Sequence, residues 1–341
     1  MRYLLILLSL VLSISVQGQD KNMAVEYMKN IDANYTQLSV DMWEYMRAVA
    51  HSRNAGKIER KREALISTSK NALNAVKETT DYEGSLAYRD SVISFLNISY
   101  NVLKDDYGRL VALEDHAGDS YQEMEDYMTA KDFASEKLEK ASRNLLEAQK
   151  AFCDKHGIEL LQNTSERAEN LKKAGEVFDY YNQFYMIFFK SNFQESIFIN
   201  AMKTKNVDSM KMAKAELFLM TQAGISMLVN KESFNGDLSV KSATEELLFF
   251  YEEEALKHFP VLIKFYEDKA AFVKIKEEIE KTAEEDVTQE MIDKYNAAGT
   301  ALNQSVGDFN GINQALNNRR NELINKWNTV SGAFTDRNVP K

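Results

Sequence analysis

Apolar residues recur along this chain at steps of three and four. Met28, Ile31, Tyr35, Leu38, Met42, Tyr45 and Val49 form one such series, and Ile93, Leu96, Tyr100, Leu103, Tyr107 and Leu110 form another. That spacing gathers each series onto one face of an α-helix. The chain contains two prolines, one of them Pro340 at the tail, so very long stretches carry no helix breaker. The pattern predicts eight principal helices, at about 22–52, 57–79, 86–117, 120–155, 166–203, 207–230, 238–281 and 287–329. The expected breaks fall at Asn54-Ala-Gly56, Thr80 to Gly84, Gly118-Asp-Ser120, the stretch from His156-Gly157 to Ser165, Asn206, Asn235-Gly236 and the capping-box pattern Asp286-Val-Thr-Gln289.

A second periodicity is much longer. Displaced by 152 residues without a gap, the sequence lays Leu65 on Leu217, Asp81-Tyr82-Glu83-Gly84-Ser85-Leu86 on Ser233-Phe234-Asn235-Gly236-Asp237-Leu238, Leu96 on Leu248 and Leu110 on Leu262. A period this long points to duplicated domains rather than a solenoid of short repeats. A helix of about 30 residues is roughly 45 Å long, and long helices joined by short turns pack antiparallel. The expected fold is therefore all-α, with two tandem, internally duplicated antiparallel bundles of long helices, the first over residues 19–160 and the second over 161–341.

Residues 1–18 read differently. Arg2 precedes the apolar run Tyr3 to Val16, and Val16-Gln17-Gly18 offers small residues for cleavage, the pattern of a secretory signal peptide. The run is shorter than the ~20 apolar residues of a membrane span. Cys153 is the only cysteine, so no lipobox follows the signal and no intramolecular disulfide can form. The expected protein is exported, periplasmic or at the cell surface, not a lipoprotein, and without a transmembrane segment after signal cleavage. Its formal net charge of −10 removes any electrostatic case for binding nucleic acid.

The candidate chemistry is sparse. His51, His116, His156 and His258 do not supply the paired Glu-x-x-His motifs of a di-metal bundle, and Glu254 with His258 offers too few ligands for a zinc site. Met202, Met210, Met212, Met220 and Met227 lack the supporting His or Cys of a copper site. Cys153 has His156 three residues on, an arrangement that can lower a thiol pKa, but it reads as a small residue near a helix end. Runs such as Glu252-Glu253-Glu254 and Glu284-Glu285-Asp286 read as solvated faces. No nucleophile elbow, phosphate loop or dinucleotide fingerprint occurs, so no cofactor, metal or catalytic residue is expected. The most apolar segment, Phe178 to Ile199, is apolar on all sides and interrupted by Asp179, Lys190 and Glu195. It reads as a buried structural spine, with an apolar cleft walled by Phe184, Tyr185, Phe188 and Phe189 as the alternative.

Several stretches resemble a family of Gram-negative bacterial surface proteins of unassigned biochemical function: Ala24-Val-Glu-Tyr-Met28, Asp41-Met-Trp-Glu-Tyr45 with Ala48-Val-Ala-His51, Tyr88 to Leu96 with Tyr100-Asn-Val-Leu103, Asp179-Tyr-Tyr-Asn182 with Phe188-Phe-Lys190, and Asn325-Lys-Trp-Asn328. The resemblance implies export and a helical fold, and it transfers no site residues. The expected function is a non-enzymatic interaction protein of the envelope or cell surface, whose partner is an unknown envelope or extracellular macromolecule. The alternative is a periplasmic binding protein holding an apolar or metal ligand between its bundles.

Overall fold

A computed structural model describes residues 19–52, 54–114, 121–159 and 165–341. The signal segment 1–18, the Gly118-Asp-Ser120 break and residues 160–164 of the expected domain boundary lie outside the described residues. Within them the chain is all-α, with no strand. The helices are α1 (Gln19–Ala33), α2 (Thr36–His51), α3 (Ala55–Lys77), α4 (Ala87–Asn101), α5 (Tyr107–Glu114), α6 (Tyr121–His156), α7 (Glu166–Lys203), α8 (Val207–Val229), α9 (Ser239–Glu253), α10 (Phe259–Lys281) and α11 (Gln289–Asn338). Among the described residues, none is long and apolar enough to cross a membrane.

Three of the expected long helices are interrupted. The one expected at 22–52 breaks between α1 and α2, where local side chains compete for backbone groups: Asn34 Nδ2 donates to the Asn30 carbonyl (2.8 Å) and Thr36 Oγ1 to that of Asp32 (3.0 Å). The helices expected at 86–117 and 238–281 each contain a five-residue π-helical turn, Val102–Asp106 and Glu254–His258. A π-turn adds about one residue to a helical turn and so rotates everything after it. The last helix runs on to Asn338 instead of ending near 329.

The chain divides into two compact units. The first comprises the described residues up to Asn182 together with Ala333–Lys341, and the second comprises Gln183–Gly332. Sequence reading instead placed a single boundary at 160/161. The physical reason for the difference is that the C-terminal turn is held by the first unit. His51 contacts Asp336 Oδ1 through Nδ1 (2.8 Å) and the Pro340 carbonyl through Nε2 (3.2 Å), and the buried Phe334 ring packs on Tyr180 at 5.3 Å.

In the first unit α2 packs on α3, α3 on α4, and α6 against α4 and α5. Its core includes Met28, Ile31, Leu38, Met42, Leu65, Phe95 and Leu96, all nearly solvent-free. In the second unit α8 packs on α9 and α10, around Leu217, Leu248, Tyr251 and Phe259.

Local structure repeats between the units at a spacing of 152 residues. Both ends of α3 and α8, of α4 and α9, and of the two π-turns keep it. Asn54 caps α3 by accepting from the Lys57 N–H, and Asn206 caps α8 by accepting from that of Ser209, each at 3.0 Å. The turns into α4 and α9 are alike. Tyr82 and Ser85 exchange backbone hydrogen bonds, as do Phe234 and Asp237, around central pairs with positive φ: Glu83 (51°) and Gly84 (73°), Asn235 (49°) and Gly236 (87°). Glycine takes the second position of each pair without the Cβ clash that a left-handed backbone imposes.

Candidate functional site

The four residues expected to wall an apolar cleft lie on α7 in the second unit. Phe184, Phe188 and Phe189 are buried and Tyr185 is half-buried. Phe188 stacks on Trp327 of α11, with ring centroids 4.4 Å apart and planes 18° from parallel, and Tyr185 lies 6.0 Å from the same indole. Tyr185 also stacks on Phe189. The buried indole N–H donates to Thr244 Oγ1 of α9 at 2.9 Å, which satisfies its polar end. The four side chains are thus packed on one another and on Trp327.

Beside this aromatic layer sits a buried charge cluster. Glu195 of α7 is 2% exposed, Glu254 at the head of the second π-turn is fully buried, and Arg320 of α11 is 9% exposed. The Arg320 guanidinium reaches Glu195 Oε1 through Nε, Glu254 Oε1 through Nη2 (2.5 Å) and Asn317 Oδ1 through Nη1 (2.5 Å). Nearby, the Tyr251 O–H donates to Asn192 Oδ1 at 3.0 Å. The reading of Glu252-Glu253-Glu254 as a solvated face fails at Glu254, which is fully buried. Glu253 does face solvent, paired with Lys257.

Two carboxylates share one buried cation, and this fixes their protonation. Burial pushes both above the ordinary carboxyl range, with Arg320 opposing it in each case. Burial first, and then the negative charge of Glu195, raise the Glu254 carboxyl, so Glu254 holds the proton. The second oxygen of Glu254, Oε2, has no hydrogen-bond partner among the described residues. One protonated acid, one carboxylate and one guanidinium leave the cluster neutral, the state a low-dielectric interior favours. With so little exposure it has no room for a substrate, and its carboxylates are committed to Arg320.

The surface of the second unit carries an open groove of about 570 Å³ between α9 and α11. Its floor is apolar: Phe249, Phe250, Ile312 and Leu316. Phe249 is 49% exposed, unusual for an aromatic ring, whereas Phe250 beside it is buried. The rim carries Glu245, Glu246 and Glu253 against a single guanidinium, Arg319. Arg319 and Lys326 bind Glu246, and Lys257 binds Glu253, while Glu245 has no ion-pair partner among the described residues.

The remaining candidates are dispersed. Cys153 is 1% exposed, its Sγ lies 3.7 Å from Met28 Sδ, and burial, helped by Asp154 and Asp32, raises its thiol to about 11. His156 instead packs on Phe152 and Tyr82 and lies 3.9 Å from Glu83. Met210 is buried while Met212 and Met227 are more than half exposed, so these thioethers do not face a common point. Among the described residues, no three His, Cys, Asp or Glu side chains stand close enough together to hold a metal ion. Asp32 is also buried, and its carboxyl is raised to about 6 by desolvation, which hydrogen bonds from Tyr35 (2.5 Å) and Tyr88 (3.1 Å) partly offset.

Comparison with protein-family models, with curated proteins and with solved structures finds no match for this chain.

Proposed function

We propose that this chain is a non-enzymatic interaction protein of the bacterial envelope, which takes an amphipathic helix of a partner protein into the groove between α9 and α11. The observation that carries the reading is the half-exposed Phe249 over an apolar floor, beside Glu245, which has no ion-pair partner among the described residues. A helix laid in a groove supplies apolar residues at i, i+3, i+4 and i+7, and a Lys or Arg on its flank would meet Glu245. Sequestered carboxylates and a buried, protonated thiol speak for recognition over catalysis.

Export follows from the sequence of residues 1–18, with cleavage after Gly18 and no acylation. The intact mass of exported protein tests this, since retention of residues 1–18 or a diacylglycerol mass overturns it. The resemblance to Gram-negative surface proteins belongs to the same reading. So do two duplicated antiparallel bundles, which the shared register of caps, turns and π-turns supports.

The groove is tested in cells that make the protein, with Phe249 replaced by the photoreactive p-benzoylphenylalanine. The expected result is one defined adduct whose cross-linked peptide is a basic amphipathic helix and whose yield drops with Glu245→Lys. The same probe at Phe133, an exposed ring of the first unit, should not produce it. No adduct, an identical one from position 133, or indifference to Glu245→Lys overturns the proposal.

A further inference from the structure

Helix α8 is apolar on two opposite faces. The inner face is spent on the core of the second unit, where Met210, Ala213, Leu217, Thr221, Gly224 and Leu228 are buried. Packing there is close enough that a Cβ on Gly224 would stand 3.1 Å from both Ile187 and Leu248. The outer face carries Met212, Ala215, Leu219, Ala223 and Met227, all exposed and spaced at three and four. Met212 is 71% exposed, Leu219 60% and Met227 54%.

The fold does not require this outer face to be apolar. α3 keeps the bounds of α8 at the 152-residue spacing, and its matching positions are Arg60, Glu63, Ser67, Asn71 and Ala75. The first four are exposed. One unit therefore has an ordinary solvated face where the other presents Met, Ala and Leu. Polar neighbours of the α8 stripe are held within their own unit: the Lys211 ammonium is 2.6 Å from Glu267 of α10, and Gln222 Nε2 donates to Glu252 of α9.

The order of residues in the stripe says what covers it. Met, Ala, Leu, Ala, Met reads the same in both directions about Leu219, and a surface that pairs with itself across a two-fold axis needs that symmetry. With the axis at Leu219, two α8 helices lie antiparallel, Met212 of each beside Met227 of the other and Ala215 beside Ala223. Electrostatics select the same direction. Antiparallel pairing sets the N-terminus of each helix beside the C-terminus of the other, which the helix dipoles favour. It also separates the two copies of Glu216, the one charged residue on that face, by about 9 Å along the axis, whereas parallel pairing would place them side by side.

We propose that the outer face of α8 is a homodimer interface, in which two copies of this chain pair α8 antiparallel about a two-fold axis at Leu219. The stripe is about 23 Å long, and a single helix face of that length covers less than the ~800 Å² per partner of a standard interface. The dimer is accordingly reversible. It shares no residue with the groove between α9 and α11 and does not rest on partner docking there.

The test is sedimentation of the exported protein between about 5 and 500 μM, which should show a monomer–dimer equilibrium. Leu219→Glu sets two carboxylates against each other at the axis and should weaken the dimer by at least about tenfold, with the melting temperature of the monomer unchanged because the side chain is exposed. Met212→Glu and Met227→Lys should each weaken it similarly. Combined in one chain they should restore the dimer, since each glutamate then meets the lysine of the other copy; within one chain the two positions are about 22 Å apart and cannot pair. Phe133→Glu, an exposed ring of the first unit, should leave the equilibrium unchanged. A protein monomeric throughout the range overturns the proposal, as does an open-ended assembly or a dimer indifferent to Leu219→Glu. A double variant no better than the single ones overturns the antiparallel pairing.

Discussion

Glu254 should make the second unit lose stability as the pH rises through neutrality, and a single isosteric substitution should remove that loss. Its folded-state pKa lies above the value in the unfolded chain, because burial and Glu195 outweigh Arg320. Between those two values the unfolded chain gives up the proton and the folded chain keeps it. Stability therefore falls with increasing pH, by about 1.4 kcal/mol per pH unit for one full proton. Over pH 6 to 8 this amounts to about 3 kcal/mol, a large part of the ~5–15 kcal/mol that holds a domain together. Glu254→Gln replaces the protonated acid by a neutral group of the same shape. The variant should match the parent near pH 5 and exceed its stability by a growing margin above pH 6. The assay is urea unfolding followed by Trp327 fluorescence in a Trp43→Phe background, so that the remaining tryptophan reports on the second unit. Asp32, a carboxyl of the first unit that burial also raises, is common to parent and variant and cancels in the comparison. Parallel pH profiles for parent and variant between pH 6 and 8 would refute the assignment of the proton to Glu254.

Three further outcomes are expected. Phe188→Ala should cost about 3–5 kcal/mol in global unfolding, as removal of a packed core ring does; wild-type stability together with loss of a bound apolar molecule would turn the aromatic layer into a ligand wall instead. Gly236→Ala, at φ 87°, should cost about 1–2 kcal/mol in urea unfolding, and an unchanged midpoint would mean that the turn relaxes freely. Cys153 should react with a thiol reagent at pH 7 only at the rate of global opening, because its thiol is buried and raised to about 11; immediate labelling of folded protein would contradict the packing against Met28.

Helix positions were legible because three-and-four spacing, asparagine caps and the Asn235-Gly236 turn all act locally. The charge cluster was legible too, had the apolar stripes been followed through the charged residues. Glu254 stands three after Tyr251 and seven after Leu247, Glu195 seven after Phe188 and three before Phe198, and Arg320 four after Leu316 and three before Leu323. Each charge occupies a buried position in its stripe. Read one helix at a time, Glu254 disappears into the run Glu252-Glu253-Glu254. Three misplaced charges of compensating sign become informative only when taken together. The π-turns left no comparable trace, since one added residue shifts the period by less than the tolerance of a three-or-four pattern. The groove is a product of tertiary packing, and nothing in the local spacing of Phe249 announces it.

The π-turns also bear on history. A turn of this kind arises when one residue is inserted into an established helix, and a neutral insertion has no reason to recur at a chosen place. Val102–Asp106 and Glu254–His258 keep the same 152-residue spacing as the flanking helices. If the two units descend from one ancestor, that ancestor already carried the insertion, and the copies diverged afterwards in what they built on it: a valine at the head of the turn in one, and a buried acid in the other.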